Sequence, residues 1–194
     1  LHSFPTRRSS DLGTVGGAVV GNAGAFGGDV ASVLRSVTLL APDGEVTERP
    51  AEWMEFSYRE SRIKRTPRPA RPVILAATFA LAPGDPAALV AHIDEILAWR
   101  RTRHPSGATM GSTFKNPPGN HAGHLIEQAG LKGYRIGGAM VSELHANFLI
   151  NTGSATAADV RALIQHIQAE VEQRFGVRLE PEVEFIGWDA DERG

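Results

Sequence analysis

The chain has 194 residues, of which 42% are hydrophobic and 22% are charged, a balance typical of one globular domain or two small ones. The 20 Lys and Arg residues against 22 Asp and Glu residues give a net charge of −2, which argues against a broad basic surface for nucleic acid. The chain has no cysteine, so disulfides, thiolate metal sites and a thiol nucleophile are excluded, and the composition fits a reducing compartment. No apolar run reaches the length of about 18 residues that predicts a membrane-spanning helix.

The first twelve residues differ in character from the rest of the chain. Residues 2–12 read HSFPTRRSSDL, which lacks the apolar stretch of a secretory signal. This segment resembles the conceptual translation of a common sequencing adapter, so we expect residues 1–12 to be a non-native artefact. A natural basic arm is the alternative. On the first interpretation the native sequence begins near Gly13, in the middle of a gene.

The next segment, residues 13–29, is rich in glycine. Glycine has no Cβ and accepts positive φ, so such a stretch lets the backbone come close to a ligand. It is not a Walker A loop, because no Gly-Lys-Ser/Thr follows, and no acidic residue stands where a dinucleotide fingerprint needs one. Two interpretations remain open from spacing alone. The segment is either a backbone cradle for a diphosphate or flavin edge, or a tightly packed turn.

The following sixty residues predict a hairpin and a further strand. Residues 33–40 alternate and are β-branched, as a strand requires, and 45–48 return as the hairpin partner after a Pro-Asp-Gly turn. Residues 50–56 predict a short helix. Residues 61–72 are basic and rich in proline, which indicates a surface loop, and 73–81 form an apolar run of strand length.

The middle of the chain predicts two helices and two strands. Residues 85–101 have helical periodicity, with basic residues near the C-terminal end where the helix dipole favours cations. Residues 104–120 have the composition of a loop. Residues 121–129 predict a short helix, and 139–141 and 147–151 predict strands.

The clearest element is a helix over residues 156–175. Thr156 is placed to cap it, Asp159 to complete a capping box, and Gly176 to end it. Residues 177–186 predict a closing strand interrupted at Pro181. The pattern as a whole predicts an α+β fold.

Three short stretches carry residue types suited to chemistry on a carboxylate or a phosphate. In GSTFKNPP, Ser112 lies near a lysine and Asn116, and a hydroxyl beside a cation can donate a proton or bind phosphate. In FSYRES, Arg59 suits bidentate pairing with a carboxylate, and in LEPEVE, Glu182 lies at the entry of the last strand. Each also has an ordinary interpretation, as a loop serine, a surface arginine and a solvated strand edge. No histidine set has the spacing of a metal site.

Four blocks, taken together, resemble one family. They are GTVGGAVVGNAGAFGGDV, FSYRESRIK, GSTFKNPPGNHAGHLIEQAGLKGYRIGGAMVSELHANFLIN and RLEPEVEFIG. They occur in the family's order and cover nearly all of residues 13–187. The family is that of the UDP-N-acetylenolpyruvoylglucosamine reductases of bacterial cell-wall synthesis, in the branch with the shorter substrate domain.

The resemblance implies a two-lobed FAD-binding domain of the vanillyl-alcohol-oxidase (PCMH-like) type together with an α+β substrate domain. Residues 13–101 then correspond to the second FAD lobe and 102–178 to the substrate domain. Residues 179–194 correspond to a return strand to the FAD lobe and a tail. The family's first lobe is expected before Gly13. Without it, we expect the chain alone to be inactive and to expose apolar surface that favours aggregation.

The implied activity is the reduction of UDP-N-acetylglucosamine enolpyruvate to UDP-N-acetylmuramate by NADPH through FAD, in the cytoplasm. The resemblance assigns the proton donor to Ser112, stabilisation of the enolate charge to Arg59, and a hydrogen bond to the substrate carboxylate to Glu182. The implied substrate ligands are Tyr58, Arg103, Asn116 and His145. The implied flavin contacts, mainly through the backbone, are Gly16, Gly17, Ala18, Asn22, Ala23 and Gly24.

Two other functions remain open. One is a nucleotide-sugar binding module without redox activity, and the other is a different FAD oxidoreductase of the same fold. The last has no reason to combine Ser112, Arg59 and Glu182 in these motifs. Oligomeric state is not indicated by the sequence.

Overall fold

The computed structural model describes residues 13–187 and divides them into two compact units, at the junction of Asp85 and Pro86. The segment predicted to be an artefact, residues 1–12, lies outside the described residues. The predicted domain boundary between residues 101 and 102 falls inside a helix that begins at Pro86. A helix is one continuous element, so it is grouped as a whole with the C-terminal unit.

The glycine-rich segment of the N-terminal unit contains a short helix, α1 (Val15–Val20), where a cradle or turn was expected. Two glycines lower its helix propensity, but the Thr14 hydroxyl caps it by accepting the N–H of Gly17, and Val19 is fully buried. A small hairpin follows, with strands β1 (Gly24–Ala25) and β2 (Gly28–Asp29). Its two turn residues both have positive φ, as a tight hairpin turn requires.

A three-stranded antiparallel sheet forms the centre of the N-terminal unit. Its strands are β3 (Leu34–Leu40), β4 (Val46–Pro50) and β5 (Val73–Phe79), in the order β4-β3-β5. The predicted hairpin and the predicted third strand are therefore confirmed. The buried side chains of β3 are those of Leu34, Val37 and Leu39. Val37 and Leu39 follow the period-2 pattern of a sheet with one face covered, and a bulge between Leu34 and Ser36 adds one residue to the spacing before Val37.

Two predicted elements of this unit differ in detail. The short helix expected over residues 50–56 is a 3₁₀ helix at Ala51–Met54, and the loop expected over 61–72 begins with a short helix, α2 (Arg62–Arg65). The buried Ser61 hydroxyl accepts the N–H of Lys64 and donates to the carbonyl of Val20. One side chain therefore caps α2 and ties it to the end of α1.

The C-terminal unit combines a four-stranded antiparallel sheet, in the order β6-β9-β8-β7, with three helices. Its helices are α3 (Pro86–Arg103), α4 (Ala122–Gln128) and α5 (Ala157–Phe175). Its strands are β6 (Ala108–Ser112), β7 (Arg135–Ile136), β8 (Ala139–Val141) and β9 (Phe148–Asn151). The three predicted helices and the strands near residues 140 and 150 are confirmed, whereas β6 lies in a stretch predicted to be a loop.

Helix α5 has the predicted caps. The Thr156 hydroxyl accepts the N–H of Asp159 at 3.1 Å, the Asp159 carboxylate accepts the N–H of Thr156 at 2.9 Å, and Gly176 ends the helix with φ of 66°. Its apolar face is fully buried in the core of the unit. By contrast, α3 buries none of its side chains, and Leu89 and Ile93 are each 54% exposed. Among residues 13–187, no helix is long and apolar enough to cross a membrane.

The closing strand expected over residues 177–186 is not a regular strand. Within the described residues it forms one isolated antiparallel bridge, between Pro181 and Phe114, because proline has no N–H to continue a ladder. The bridge and a hydrogen bond from Gln168 to the Leu179 carbonyl hold this segment within the C-terminal unit. The predicted return of this segment to an FAD lobe stays a prediction.

Candidate functional site

Ser112 lies where strand β6 departs from regular geometry. It is the last residue of the strand and follows Gly111, whose φ of 84° is readily adopted only by glycine. The pairing of β6 with β9 shifts register between Thr109 and Ser112. Such bulges re-aim side chains and are frequent next to active sites. The half-buried Ser112 therefore lies on irregular but hydrogen-bonded backbone.

The segment after Ser112 pairs with the segment that carries Glu182. The N–H of Glu182 donates to the carbonyl of Thr113 at 2.8 Å, and the N–H of Lys115 donates to the carbonyl of Glu180 at 2.9 Å. These two bonds flank the bridge between Phe114 and Pro181. Two of the predicted catalytic residues, Ser112 and Glu182, are thus held on neighbouring segments of one unit.

Lys115, the lysine that follows Ser112 in the GSTFKNPP stretch, forms an ion pair. Lys115 is buried, with 8% of its surface exposed. Its Nζ lies 2.5 Å from Oε1 of Glu180, and the Glu180 side chain is 68% exposed. Because the carboxylate is open to solvent, the pair contributes no more than about 1 kcal/mol to stability. The ion pair joins the same two residues, Lys115 and Glu180, as one of the backbone hydrogen bonds, and so reinforces the pairing of the two segments.

Two predicted substrate ligands of this unit are engaged with the protein. The amide oxygen of Asn116 accepts the N–H of Ala122 at 3.0 Å, which caps α4 in place of a local cap. The guanidinium of Arg103 lies over the ring of Trp99, 5.0 Å from its centroid. Arg103 is exposed at the end of α3.

His145, the third predicted ligand in this unit, lies in an aromatic cluster. Its ring centroid is 4.8 Å from Phe148 and 5.9 Å from His104. Burial, and to a lesser extent the charge of His104, lower the pKa of His145 below its ordinary value. Nδ1 accepts the N–H of Asn147 at 3.2 Å, so the proton of the neutral ring is on Nε2.

Arg59, the third predicted catalytic residue, belongs to the N-terminal unit and lies in a strained turn. Its φ is 58°, and the residues that flank the turn, Ser57 and Glu60, exchange two backbone hydrogen bonds. The guanidinium donates to the carbonyl of Gly24 at 2.7 Å, and Lys64 Nζ donates to the carbonyl of Arg59 at 2.8 Å. The turn is therefore fixed to the glycine-rich segment.

The other predicted residues of the N-terminal unit surround this turn. Tyr58 is exposed, with the Arg59 guanidinium 5.3 Å from its ring centroid. The side chain of Asn22, expected near the flavin, bonds to Asp29, to the carbonyl of Ser57 and to the N–H of Ala31. At Gly24, a Cβ would lie 2.7 Å from the Gly28 carbonyl oxygen, so the hairpin requires glycine there.

Five of the predicted site residues therefore belong to the C-terminal unit: Ser112, Glu182, Asn116, Arg103 and His145. The glycine-rich segment, Tyr58 and Arg59 come together in the other. The residue that the sequence did not single out is Asn147, which bonds the backbone beside Ser112. An asparagine at the start of the strand predicted over residues 147–151 carries no signal of that contact.

Comparison with known proteins identifies the family. Residues 103–186 match the family described as UDP-N-acetylenolpyruvoylglucosamine reductase, C-terminal domain. The UDP-N-acetylenolpyruvoylglucosamine reductase of Chloroflexus aurantiacus is 49% identical over 175 residues, covering 90% of this chain and 59% of the relative. That of Trichormus variabilis is 48% identical over 177 residues, covering 90% of this chain and 52% of the relative. Residues 103–186 belong to the UDP-N-acetylenolpyruvoylglucosamine reductase family, and similarity to its members extends over 90% of the chain.

The fold agrees with this family. The crystal structure of the UDP-N-acetylenolpyruvylglucosamine reductase from Thermus caldophilus superposes with a TM-score of 0.76 at 35% identity, covering 88% of this chain and 59% of that one. The resemblance found in the sequence motifs is therefore confirmed. The chain spans between half and three-fifths of the length of the curated relatives it matches.

Proposed function

We propose that this chain is part of an enzyme that reduces UDP-N-acetylglucosamine enolpyruvate to UDP-N-acetylmuramate, with FAD and NADPH, for peptidoglycan synthesis in the cytoplasm. Membership of the reductase family supports the reaction class. The observation that carries the proposal is the pairing of the segment after Ser112 with the segment of Glu182. It gathers an uncharged proton donor and a carboxyl group in one part of the C-terminal unit.

The glycine-rich segment fits contact with a flavin. Among the described residues, a Cβ at Gly27 or Gly28 would meet nothing within 4 Å, so the backbone at this hairpin turn is open to a ligand. The Asn22 side chain is committed to protein groups, and we therefore expect it to shape the segment while backbone groups contact the cofactor. The proposed contacts are those of Gly16, Gly17, Ala18, Asn22, Ala23 and Gly24.

FAD held by the glycine-rich segment would, once reduced by NADPH, supply a hydride to the enolpyruvyl methylene carbon. The two electrons of the carbon–carbon double bond then reside on the neighbouring carbon and its carboxylate as an enolate. Ser112 donates a proton to that carbon, which completes the saturated product, and its hydroxyl recovers a proton from solvent. Hydride and proton together account for the two hydrogens added.

Two further side chains act on the charge that develops on the substrate carboxylate. The guanidinium of Arg59 has a planar array of donors that matches a carboxylate. Glu182 in its protonated form donates a hydrogen bond to the same group. Preorganised donors of this kind supply a large part of the rate enhancement in reactions with an enolate-like transition state.

The nucleotide part of the substrate needs cationic and amide donors. Arg103 and Tyr58 are exposed and therefore accessible to a ligand. Asn116 holds the start of α4, and His145 presents an Nε2–H from the neutral ring. We propose these four as substrate ligands.

The proposal is tested by separating the two halves of the reaction. The protein for the experiment is this chain from Gly13, joined to the part of the Chloroflexus aurantiacus relative that the chain does not span. In Ser112→Ala we expect FAD reduction by NADPH to stay at the parent rate. Reoxidation by the enolpyruvyl substrate should slow by about 10²–10⁴-fold, the usual cost of losing a positioned acid. Ser112→Cys should keep part of the rate.

Rapid-mixing absorbance of the bound flavin resolves both steps. A parent protein that binds the sugar nucleotide but no flavin would establish the binding-module function instead. A Ser112→Ala variant that reoxidises at the parent rate would contradict the role of Ser112. We expect residues 13–194 alone to show neither half-reaction.

A further inference from the structure

Asn147 is a buried residue that holds the backbone next to Ser112. It lies immediately before β9 and is 4% exposed. Its amide Oδ1 accepts the N–H of Phe114 at 2.9 Å, and its Nδ2 donates to the carbonyl of Phe114 at 2.8 Å. Its own carbonyl accepts the N–H of Thr113 at 2.8 Å. One residue therefore makes three hydrogen bonds to two consecutive residues of the serine segment.

These bonds replace a strand pairing that has ended. Ser112 is the last residue of β6 that pairs with β9, opposite Phe148, and the register has already shifted before it. Thr113 and Phe114 are fully buried, and their backbone groups need partners there. The planar amide of Asn147 uses one N–H as a donor and its oxygen as an acceptor, as a peptide group does. Asn147 thus acts as the continuation of β9 along this edge.

The opposite edge of the same segment is held by the bridge to residues 180–182. The serine segment is consequently fixed on both sides, by Asn147 on one and by the chain that leads to Glu182 on the other. Loss of the Asn147 bonds would leave the Glu182 side intact and release only the side beside β9. Ser112 would then keep its identity and its strand but lose its fixed orientation.

We propose that Asn147 is a positioning residue for the proton donor Ser112. It fixes the peptide groups directly after Ser112, and through them the direction of the hydroxyl. The inference rests on the proposed function, because it concerns the proton that Ser112 delivers there. A displacement of about 1 Å at a reacting group reduces rates by about 10²-fold.

The experiment measures flavin reoxidation by the enolpyruvyl substrate in the completed protein defined above. Asn147→Ala should slow reoxidation by about 10–100-fold, with flavin reduction by NADPH and the KM for the substrate near parent values. Ile167→Ala is the control, since it also removes buried atoms from this unit but lies on α5. It should lower stability and leave the reoxidation rate unchanged.

The decisive measurement is the double variant with Ser112→Ala. If Asn147 acts through Ser112, Asn147→Ala should cause little further loss once the hydroxyl is gone. A loss that multiplies in full with that of Ser112→Ala would overturn the inference, as would an Asn147→Ala variant that reoxidises no more slowly than Ile167→Ala.

Asn147→Ser is the second variant, because it is uncharged and small, and it lacks the planar amide that bonds both the N–H and the carbonyl of Phe114. Its reoxidation rate is compared with that of Ile167→Ala in the same way. A parent protein that fails to oxidise reduced flavin with the substrate refutes the proposed function itself. If the parent reacts with the substrate and both Asn147 variants react as fast as the parent, only the Asn147 inference is refuted.

Discussion

Thr113 offers a sharp test of the hydrogen bonding beside Ser112. Its side chain is fully buried, and its Oγ1 has no hydrogen-bond partner among the described residues. A buried hydroxyl without a partner costs about 1–3 kcal/mol, because it gives up water and receives nothing. Thr113→Val replaces that hydroxyl with a methyl group of similar shape. We therefore expect the free energy of unfolding to rise by about 1 kcal/mol.

The measurement is urea unfolding of parent and variant, followed by circular dichroism at one pH and temperature. Thr113→Ser is the matched control, since it keeps the hydroxyl and removes the methyl, and should lose about 1 kcal/mol. A Thr113→Val variant less stable than the parent by about 1 kcal/mol or more would show that the hydroxyl is hydrogen bonded. In the completed protein, flavin reoxidation should be the same in parent and Thr113→Val.

Two further predictions concern the C-terminal unit. Hydrogen bonds from the backbone N–H groups of Thr156 and Gly138 hold the pKa of the Asp159 carboxyl below its usual 3.8. The ionised carboxylate of Asp159 therefore stabilises the folded state above pH 3.8, and this stabilisation is lost as the pH falls through the folded-state pKa. Acid titrations of the melting temperature should therefore decline less steeply for Asp159→Asn than for the parent, and equal slopes would contradict this. At Gly138 a Cβ would lie 2.3 Å from the backbone nitrogen of Ala155, so Gly138→Ala should cost about 1–3 kcal/mol in urea unfolding. Gly130→Ala is the comparison, because Gly130 has φ of 75° but no described atom within 4 Å of an added Cβ, and it should cost about 1 kcal/mol. We expect the loss at Gly138 to be the larger of the two, and a loss there no larger than that at Gly130 would refute the steric argument.

Elements with a strong local pattern could be predicted from the sequence. Helix α5 has a capping box, a continuous apolar face and a glycine end, and all three act within a few residues of the chain. The hairpin of β3 and β4 likewise follows from alternation and a turn at Asp43 and Gly44. In these stretches local propensity and tertiary packing favour the same structure.

Elements that depend on distant partners could not be predicted. Helix α1 contains two glycines and forms because Thr14 caps it and Val19 enters the core. Strand β6 has the composition of a loop and becomes a strand through its pairing with β9. The contact of Asn147 with Phe114 spans 33 positions in the chain, and no local pattern records it. The family motifs identified Ser112, Arg59 and Glu182 as candidates, and their roles stay predictions.

The backbone at the candidate catalytic residues explains why local patterns fail there. Arg59 itself has φ of 58°, and Ser112 follows Gly111 with φ of 84°. For residues other than glycine, such conformations cost about 1–3 kcal/mol each. They persist only where contacts with the surrounding residues hold the backbone in place. At Arg59 the neighbours are Lys64 and the Gly24 carbonyl, and at Ser112 they are Asn147 and the segment of Glu182. The two units thus present their candidate catalytic groups in the same manner, on irregular backbone that side chains from elsewhere in the unit hold in place.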